Sequence, residues 1–189
     1  MELNLSDFLK GDFIPEGIRV ICVAGGSGSG KSFVAGKIAE KIGARLLGVD
    51  DYIISEKIIK GANWDLPECW NLNLLREHLG FFLEGKEFVK PIYNFGNSDS
   101  SSEVFVPGGV IVVEGVYALC DSISGFSDFS IFVDSPEDVR LRRRIKRDSV
   151  ERSNHGEDRI VRQWNETIQP TFLKCVEQQR AKSDLIIIN

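Results

Sequence analysis

The clearest chemistry in this 189-residue chain lies in Gly25-Gly26-Ser27-Gly28-Ser29-Gly30-Lys31-Ser32, which fits G-x-x-x-x-G-K-S. Glycines there let the backbone approach an anion without a clashing Cβ, and consecutive N–H groups at a helix start face the negative charge. In this pattern the lysine, Lys31, reaches the β- and γ-phosphates and the hydroxyl of Ser32 ligates Mg²⁺. The flanks agree. Val20 to Ala24 is a short apolar run that reads as a buried strand, and from Phe33 a helix follows with Val34, Ile38 and Ile42 on one face. Gly43 stands where a helix end takes a left-handed residue. Such a strand, loop and helix make a nucleoside triphosphate cradle.

Phosphoryl transfer needs three further things: a second acid near the metal, a cationic clamp and a base for the acceptor hydroxyl. Glu114 closes the apolar run from Val110, at the carboxyl end of a predicted central strand, and suits the metal. Asp50 and Asp51 follow a second strand (44–49); Asp50 is the candidate base and a metal neighbour, with Asp51 as the alternative. Arg140, Arg142, Arg143, Arg144, Lys146 and Arg147 put six positive charges into about two helical turns. Since the whole chain carries −5, the remainder carries −11. That concentration suits one small, highly charged ligand and excludes a general nucleic-acid face. Arg140, Arg143, Arg144 and Arg147 share one side of the helix and are the clamp candidates. Trp64, Tyr93 and Phe95 could wall an acceptor pocket or simply belong to the core.

These groups need a scaffold. The apolar fraction of 42% and charged fraction of 27% are those of an ordinary globular protein. No apolar run approaches the length of a membrane span, so no membrane partner is expected. The N-terminus lacks the basic start and apolar centre of a signal peptide, which predicts a cytoplasmic location. Cys22, Cys69, Cys120 and Cys175 show no C-x-x-C spacing and read as thiols; His78 and His155 stand alone, which argues against zinc. Strands alternating with helices predict an α/β fold, a doubly wound parallel sheet with helices on both faces. Residues 1–17 read as a flap or short helix. Residues 55–70 read as a loop or broken helix and 72–85 as a helix; Gly96 to Ser102 reads as a mobile serine-rich loop, and Glu103 to Val106 as a short strand. Phe129 to Val133 is another strand, after which Ser135 should cap the basic helix with Pro136 at its first position. A last helix from about Asp158 carries Val161, Trp164, Ile168, Phe172 and Cys175/Val176, with Pro170 expected to kink it or cost it a hydrogen bond, before a final strand, 184–188.

The chain resembles uridine kinases of the uridine kinase/phosphoribulokinase group. The likeness rests on Gly25 to Ser32, Asp50-Asp51-Tyr52, Asn63-Trp64-Asp65-Leu66-Pro67, Pro91-Ile92-Tyr93-Asn94-Phe95 and Val112-Val113-Glu114-Gly115. It extends through Phe132 to Asp148 with its arginine block, and through Gln163-Trp164, Pro170 and Ser183 to Ile187. It implies a P-loop kinase of the nucleoside monophosphate kinase-like fold, one domain over 1–189. That domain would have an acceptor-binding insertion at about 52–107 and a lid at about 136–158. It implies transfer from ATP with Mg²⁺ to a hydroxyl of a nucleoside or similar small acceptor. By the same likeness Ser32 and Glu114 would lie at the metal, Asp50 would act as base, and Arg140, Arg143 and Arg144 would form the lid. Tyr93, Asn94 and Gln163 would line the acceptor side. Kinases of this group often associate, so a homo-oligomer is admitted.

The departures fall on the acceptor. Asn94 replaces an aspartate of the family pattern, Ser98 a histidine and Ser100 an arginine; Asn154 replaces an arginine of the lid. Losing those donors should relax pyrimidine reading. A kinase of another nucleoside or sugar derivative is therefore an alternative to a uridine or cytidine kinase. A nucleotide-dependent switch is a rival, though Asn-Lys, the start of a guanine-reading motif, never occurs here. A non-catalytic nucleotide binder is the third reading.

Overall fold

The computed structural model describes residues 1–54, 63–94, 99–152 and 156–189. Its main layer is a six-stranded parallel sheet. In chain order the strands are β1 (Glu2–Asn4), β2 (Val20–Gly25), β3 (Arg45–Gly48), β6 (Ile111–Glu114), β7 (Phe129–Asp134) and β8 (Leu185–Ile188); across the sheet they run β1-β8-β7-β2-β6-β3. A separate antiparallel hairpin pairs β4 (Phe88–Asn94) with β5 (Asp99–Phe105).

β2 is apolar throughout because both its faces are covered. Val20, Cys22 and Ala24 feed one core with Leu75, Phe82, Phe88 and Phe172. Ile21 and Val23 feed the other with Phe8, Val34, Ile38 and Ile187. The helices on the two sides are α1 (Leu5–Lys10) and α2 (Lys31–Ile42) against α3 (Leu72–Leu83) and the chain's last helix. From β2 the chain crosses to β3 on one side, whereas β6 leads through α4 (Asp121–Ser124) to β7 on the other. The winding thus reverses around β2, and the crevice at its carboxyl end is where an open α/β sheet binds ligands.

Some expectations are corrected. Residues 2–4 form an edge strand, paired Leu3 to Ile187, before the short helix; three residues are too few for a periodic signal. Residues 99–102, read as part of a serine-rich loop, belong to β5, with Ser102 opposite Pro91 and Ser100 opposite Tyr93. Polar residues fill that strand because much of it faces solvent; the remaining loop residues, 96–98, lie outside the described residues, as do 95 and 55–62. The basic helix α5 (Glu137–Arg147) has Pro136, not Ser135, as its N-cap. The Ser135 hydroxyl donates instead to the Ser29 and Asn189 carbonyls, at 3.0 and 2.5 Å. After α6 (Glu157–Gln163) the chain stays helical to Lys182, through turns of π and 3-10 spacing on either side of Pro170. The wider turns absorb the missing N–H of proline without a break.

Candidate active site

The glycine loop joins β2 to α2 at the reversal point. Gly28 and Gly30 have φ of 77° and 94°, and Gly30 is the left-handed N-cap of α2. A Cβ on Gly28 would fall 2.2 Å from the Arg140 carbonyl oxygen, so the loop lies directly against α5. The Ser29 carbonyl accepts from Ser135 Oγ, from Asn189 Nδ2 at 2.7 Å and from Arg143 Nη1 at 3.3 Å. A trans peptide carries its N–H opposite its C=O, so the Gly30 N–H is aimed away from these donors. Ser29 Oγ is buried and has no hydrogen-bond partner among the described residues. Oriented amides, a loop in which four of the six residues from Gly25 to Gly30 carry no Cβ, and a buried lysine, Lys31, fit a polyphosphate.

Across the crevice, register places Glu114 beside both Val23 and Gly48. Ser32 Oγ donates to Glu114 Oε2 at 3.1 Å. Burial raises the Glu114 carboxyl above its ordinary value, and the Lys31 charge opposes this; Asp50 and Asp51 raise it further, while the Ser32 bond lowers it. These influences bring Lys31, Ser32, Glu114 and the acidic pair into one field. Among the described residues no group of three or more His, Cys, Asp or Glu forms a metal cage. A hydroxyl with a facing carboxylate suits Mg²⁺, which keeps waters and takes phosphate oxygens as ligands.

Asp50 and Asp51 stand on a 3-10 turn (Val49–Tyr52) directly after β3. Asp51 is engaged: Oδ2 pairs with Lys90 Nζ at 2.9 Å and Oδ1 accepts the Tyr93 N–H at 3.3 Å. The Asp50 carboxylate is half-buried. Backbone bonds from Ile54 to Cys69 and from Asn71 to Tyr52, at 2.8 and 2.7 Å, hold the turn from the other side.

The arginines divide by position. Arg144 Nη1 donates to Ser27 Oγ at 2.9 Å and Nη2 to Gln163 Oε1 at 3.5 Å, with Asp148 Oδ2 3.0 Å from Nε. Burial lowers its pKa, and the charges of Asp148, Asp65 and Asp50 oppose that. Arg143 bonds the loop carbonyls of Gly28 and Ser29 from outside. Arg140 lies deeper, one turn nearer the helix start. Its guanidinium sits 4.0 Å from the Phe172 ring centroid and bonds the Ser135 carbonyl and Gln169 Oε1, at 3.2 and 2.9 Å. Its Nη1 has no hydrogen-bond partner among the described residues, and a Cβ on Gly26 would meet it together with the Phe172 ring. Arg147 pairs with Asp148, and Arg142 points outward to Asp138.

Other candidates scatter. Phe33 is 51% exposed on the first turn of α2, Asn94 is exposed at the end of β4, and Tyr93 is half-buried beside it. Trp64 packs against the core around Trp70 and Tyr117. Phe95, Ser98, Ser153 and Asn154 lie outside the described residues. All four cysteines are free thiols, and burial pushes that of Cys22 up to about 12.

Two residues with clear roles in the geometry were not picked out as site residues from sequence. Asp65 accepts from Thr167 Oγ1 at 2.9 Å; burial raises its carboxyl, the Arg144 charge opposes, and Asp50 adds to the rise. It lies within Asn63-Trp64-Asp65-Leu66-Pro67, a stretch noted only as a likeness. Lys90 is 7% exposed and bridges Asp51 and Glu103. Its signal was phase: in β4 it shares the inward side with Phe88, and an inward lysine demands a buried acid.

The profile of the Phosphoribulokinase / Uridine kinase family matches residues 20–189. This chain belongs to that family. It is 34% identical over 177 residues to the uridine kinase of Halobacterium salinarum, covering 88% of this chain and 78% of that one. It is 35% identical over 179 residues to the uridine kinase of Deinococcus deserti, covering 89% and 86%. The phosphoribulokinase of Rhodobacter spheroides superposes with a TM-score of 0.68 at 16% identity, over 90% of this chain and 69% of that one, and so shares the fold. The protein is a small-molecule kinase with an ATP-binding P-loop. Among the described residues no helix is long and apolar enough to cross a membrane.

Proposed function

We propose that this kinase transfers the γ-phosphoryl group of ATP to a hydroxyl of a nucleoside or a related sugar-bearing metabolite in the cytoplasm. The observation that carries the reading is the contrast within the acidic pair. Asp51 is spent on Lys90 and the Tyr93 N–H, whereas the Asp50 carboxylate takes no hydrogen bond among the described residues and lies in the field of Glu114. A carboxylate so placed can accept the proton of the acceptor hydroxyl as it attacks phosphorus.

The loop amides and Lys31 would hold the triphosphate, and Ser32 and Glu114 would hold Mg²⁺, with Asp50 beside them. When bound, ATP with Mg²⁺ supplies an electrophilic phosphoryl group whose charge is partly neutralised. Arg144, tied to the loop through Ser27 and to the C-terminal helix through Gln163, would follow the charge that develops on the transferring group. Arg143 would steady the loop, and Nη1 of Arg140, without a hydrogen-bond partner among the described residues, faces the same loop at Gly26. Tyr93, Asn94, Gln163 and Asp65 would face the acceptor. The curated relatives are named for uridine, while Asn94 and Ser100 stand where the family pattern has an acid and a base. A non-pyrimidine nucleoside or sugar derivative is therefore the second reading.

The test is ADP release from ATP and Mg²⁺ against uridine, cytidine, purine nucleosides, nicotinamide riboside, pantothenate and simple sugar phosphates, with a blank lacking acceptor. A nucleoside should stimulate release. Lys31→Ala and Asp50→Asn should both abolish it, and Asp50→Asn should still bind ATP. Retention of more than about a tenth of the rate by Asp50→Asn would remove its role as base, worth on the order of 10² or more. Flat rates across the panel, with ATP bound, would sink the nucleoside assignment.

A further inference from the structure

The Lys90 ammonium is an unusual object for a small hairpin. It is 7% exposed, and it lies 2.9 Å from Asp51 Oδ2 and 3.1 Å from Glu103 Oε1. Glu103 is its directly opposite residue across the hairpin. Burial alone would lower the lysine's pKa, but the bonds and charges of Asp51 and Glu103 hold it above the ordinary value, so it stays charged. Three residues further along the same strand, the Tyr93 N–H meets the other oxygen of Asp51. The hairpin therefore grips one carboxylate with two donors, and that carboxylate is the immediate neighbour of Asp50.

We infer that Lys90 is a positioning residue for phosphoryl transfer: by neutralising and anchoring Asp51 on the hairpin, it leaves Asp50 as the carboxylate presented to the acceptor. This rests on the reading of Asp50 as base. Without Lys90, a second uncompensated charge would stand beside Asp50 and Glu114, and the turn carrying both aspartates would lose its tie to β4. Tyr93, which would line the acceptor, and Asp50, which would activate it, are registered to each other through Asp51. The inference also explains why an acidic pair can work here with one base: the second acid is a structural anion.

Removing one partner of a buried ion pair strands the other, whereas removing both is often close to neutral. This gives the test. Lys90→Met, Asp51→Asn and the double variant are compared with the parent and with Asp50→Asn, below the thermal midpoint of each. The acceptor is uridine, or the panel member with the highest rate where uridine is not turned over. Lys90→Met should lower kcat at least tenfold, with KM for ATP within about twofold. The double variant should recover kcat to within about threefold of the parent, since an asparagine oxygen still accepts the Tyr93 N–H. Hydrogen exchange, which needs no acceptor, should show the Tyr93 amide deprotected in Lys90→Met and protected again in the double variant.

A parental kcat in folded Lys90→Met would overturn the inference, as would unchanged Tyr93 protection. A double variant as inactive as Lys90→Met would also overturn it, because Lys90 would then act on substrate directly. Should Asp50→Asn stay active, the base assignment fails. Should Asp50→Asn be inactive while Lys90→Met is normal, only the role of Lys90 fails.

Discussion

Arg144 is the residue at which the glycine loop and α6 meet. One guanidinium touches Ser27 of the loop and Gln163 of α6, lies against Asp148 and feels the charges of Asp65 and Asp50. A planar fork with five donors can serve that many oxygens; a lysine, with a compact ammonium, cannot. Arg144→Lys keeps the charge that Asp148 and Asp65 require, so the protein should fold with a nearly unchanged melting temperature. It should nonetheless lose kcat by on the order of 10²-fold or more, as removal of an arginine from a phosphoryl-transfer site does, while ATP affinity changes by only a few-fold. Steady-state kinetics with equilibrium ATP titration check this; a kcat within about threefold of the parent would show that Arg144 is a strut. Arg140 shows the complementary case. The six-cation run reads from sequence as a candidate clamp, but sharing one side of a helix does not fix depth. Arg140 lies where Trp164 and Phe172 descend, 5.2 and 4.0 Å from their ring centroids, and only the packing of a distant helix could reveal that.

At the scale of elements, what was readable followed from periodicity and local rules. Val20 to Ala24, Val110 to Val113 and Phe129 to Val133 announced buried parallel strands by continuous apolar runs, and the glycine loop announced its own strand and helix. β1 escaped because three residues at a sheet edge need only long-range pairing with β8 to exist. The second half of β5 is readable as a short strand, but residues 99–102 escaped because serines on an exposed hairpin obey their partner strand rather than their own propensity. Ser135 left its capping role for carbonyls 106 and 54 residues away, contacts with no local signature. The turn carrying Asp50 is fixed from α3 in the same way: Tyr52 OH lies 2.8 Å from His78 Nδ1, and the imidazole stacks on Phe88 at 4.5 Å. Burial lowers the His78 pKa below the usual 6.5, with Glu77 opposing. The unfolded chain then binds more protons than the folded one below that pH, so His78 costs stability as the pH falls from about 6.5 towards its folded value and has no effect above. Replacement by glutamine, which can still accept from Tyr52, removes that dependence. Denaturant melts from pH 7.5 to 5 should show the stability advantage of the parent over His78→Gln shrinking below pH 6.5. A difference that stays constant across this range would mean that the imidazole is protonated alike in both states.

The molecule as a whole has two cores divided by one sheet: α2, which begins at Lys31, packs in one, and the hairpin and the Asp50–Asp51 turn rest on the other. Phe8 belongs to the core between the sheet and α1 and α2, where it packs 6.2 Å from Phe13. Phe88 belongs to the opposite core, stacked at 4.9 Å on Phe105 and at 4.5 Å on His78, two residues from Lys90. Both rings are nearly buried, at 6% and 5% exposure, so trimming either to leucine should cost a similar amount, on the order of 1–2 kcal/mol. If stability were all that these cores supply, the two variants would be equally active at a temperature where both are folded. The contacts say otherwise. Loosening Phe88 frees the hairpin and the imidazole that together fix the Asp50–Asp51 turn, whereas loosening Phe8 disturbs an edge strand and a helix far from any candidate catalytic group. Phe88→Leu should therefore lower kcat several-fold beyond its stability loss, and Phe8→Leu should leave kcat and both KM values at parental levels. Thermal melts paired with kinetics on the same preparations decide it, and equal kinetic effects at equal destabilisation would show that the Asp50–Asp51 turn is held by the sheet as a whole rather than by the hairpin packed on one side.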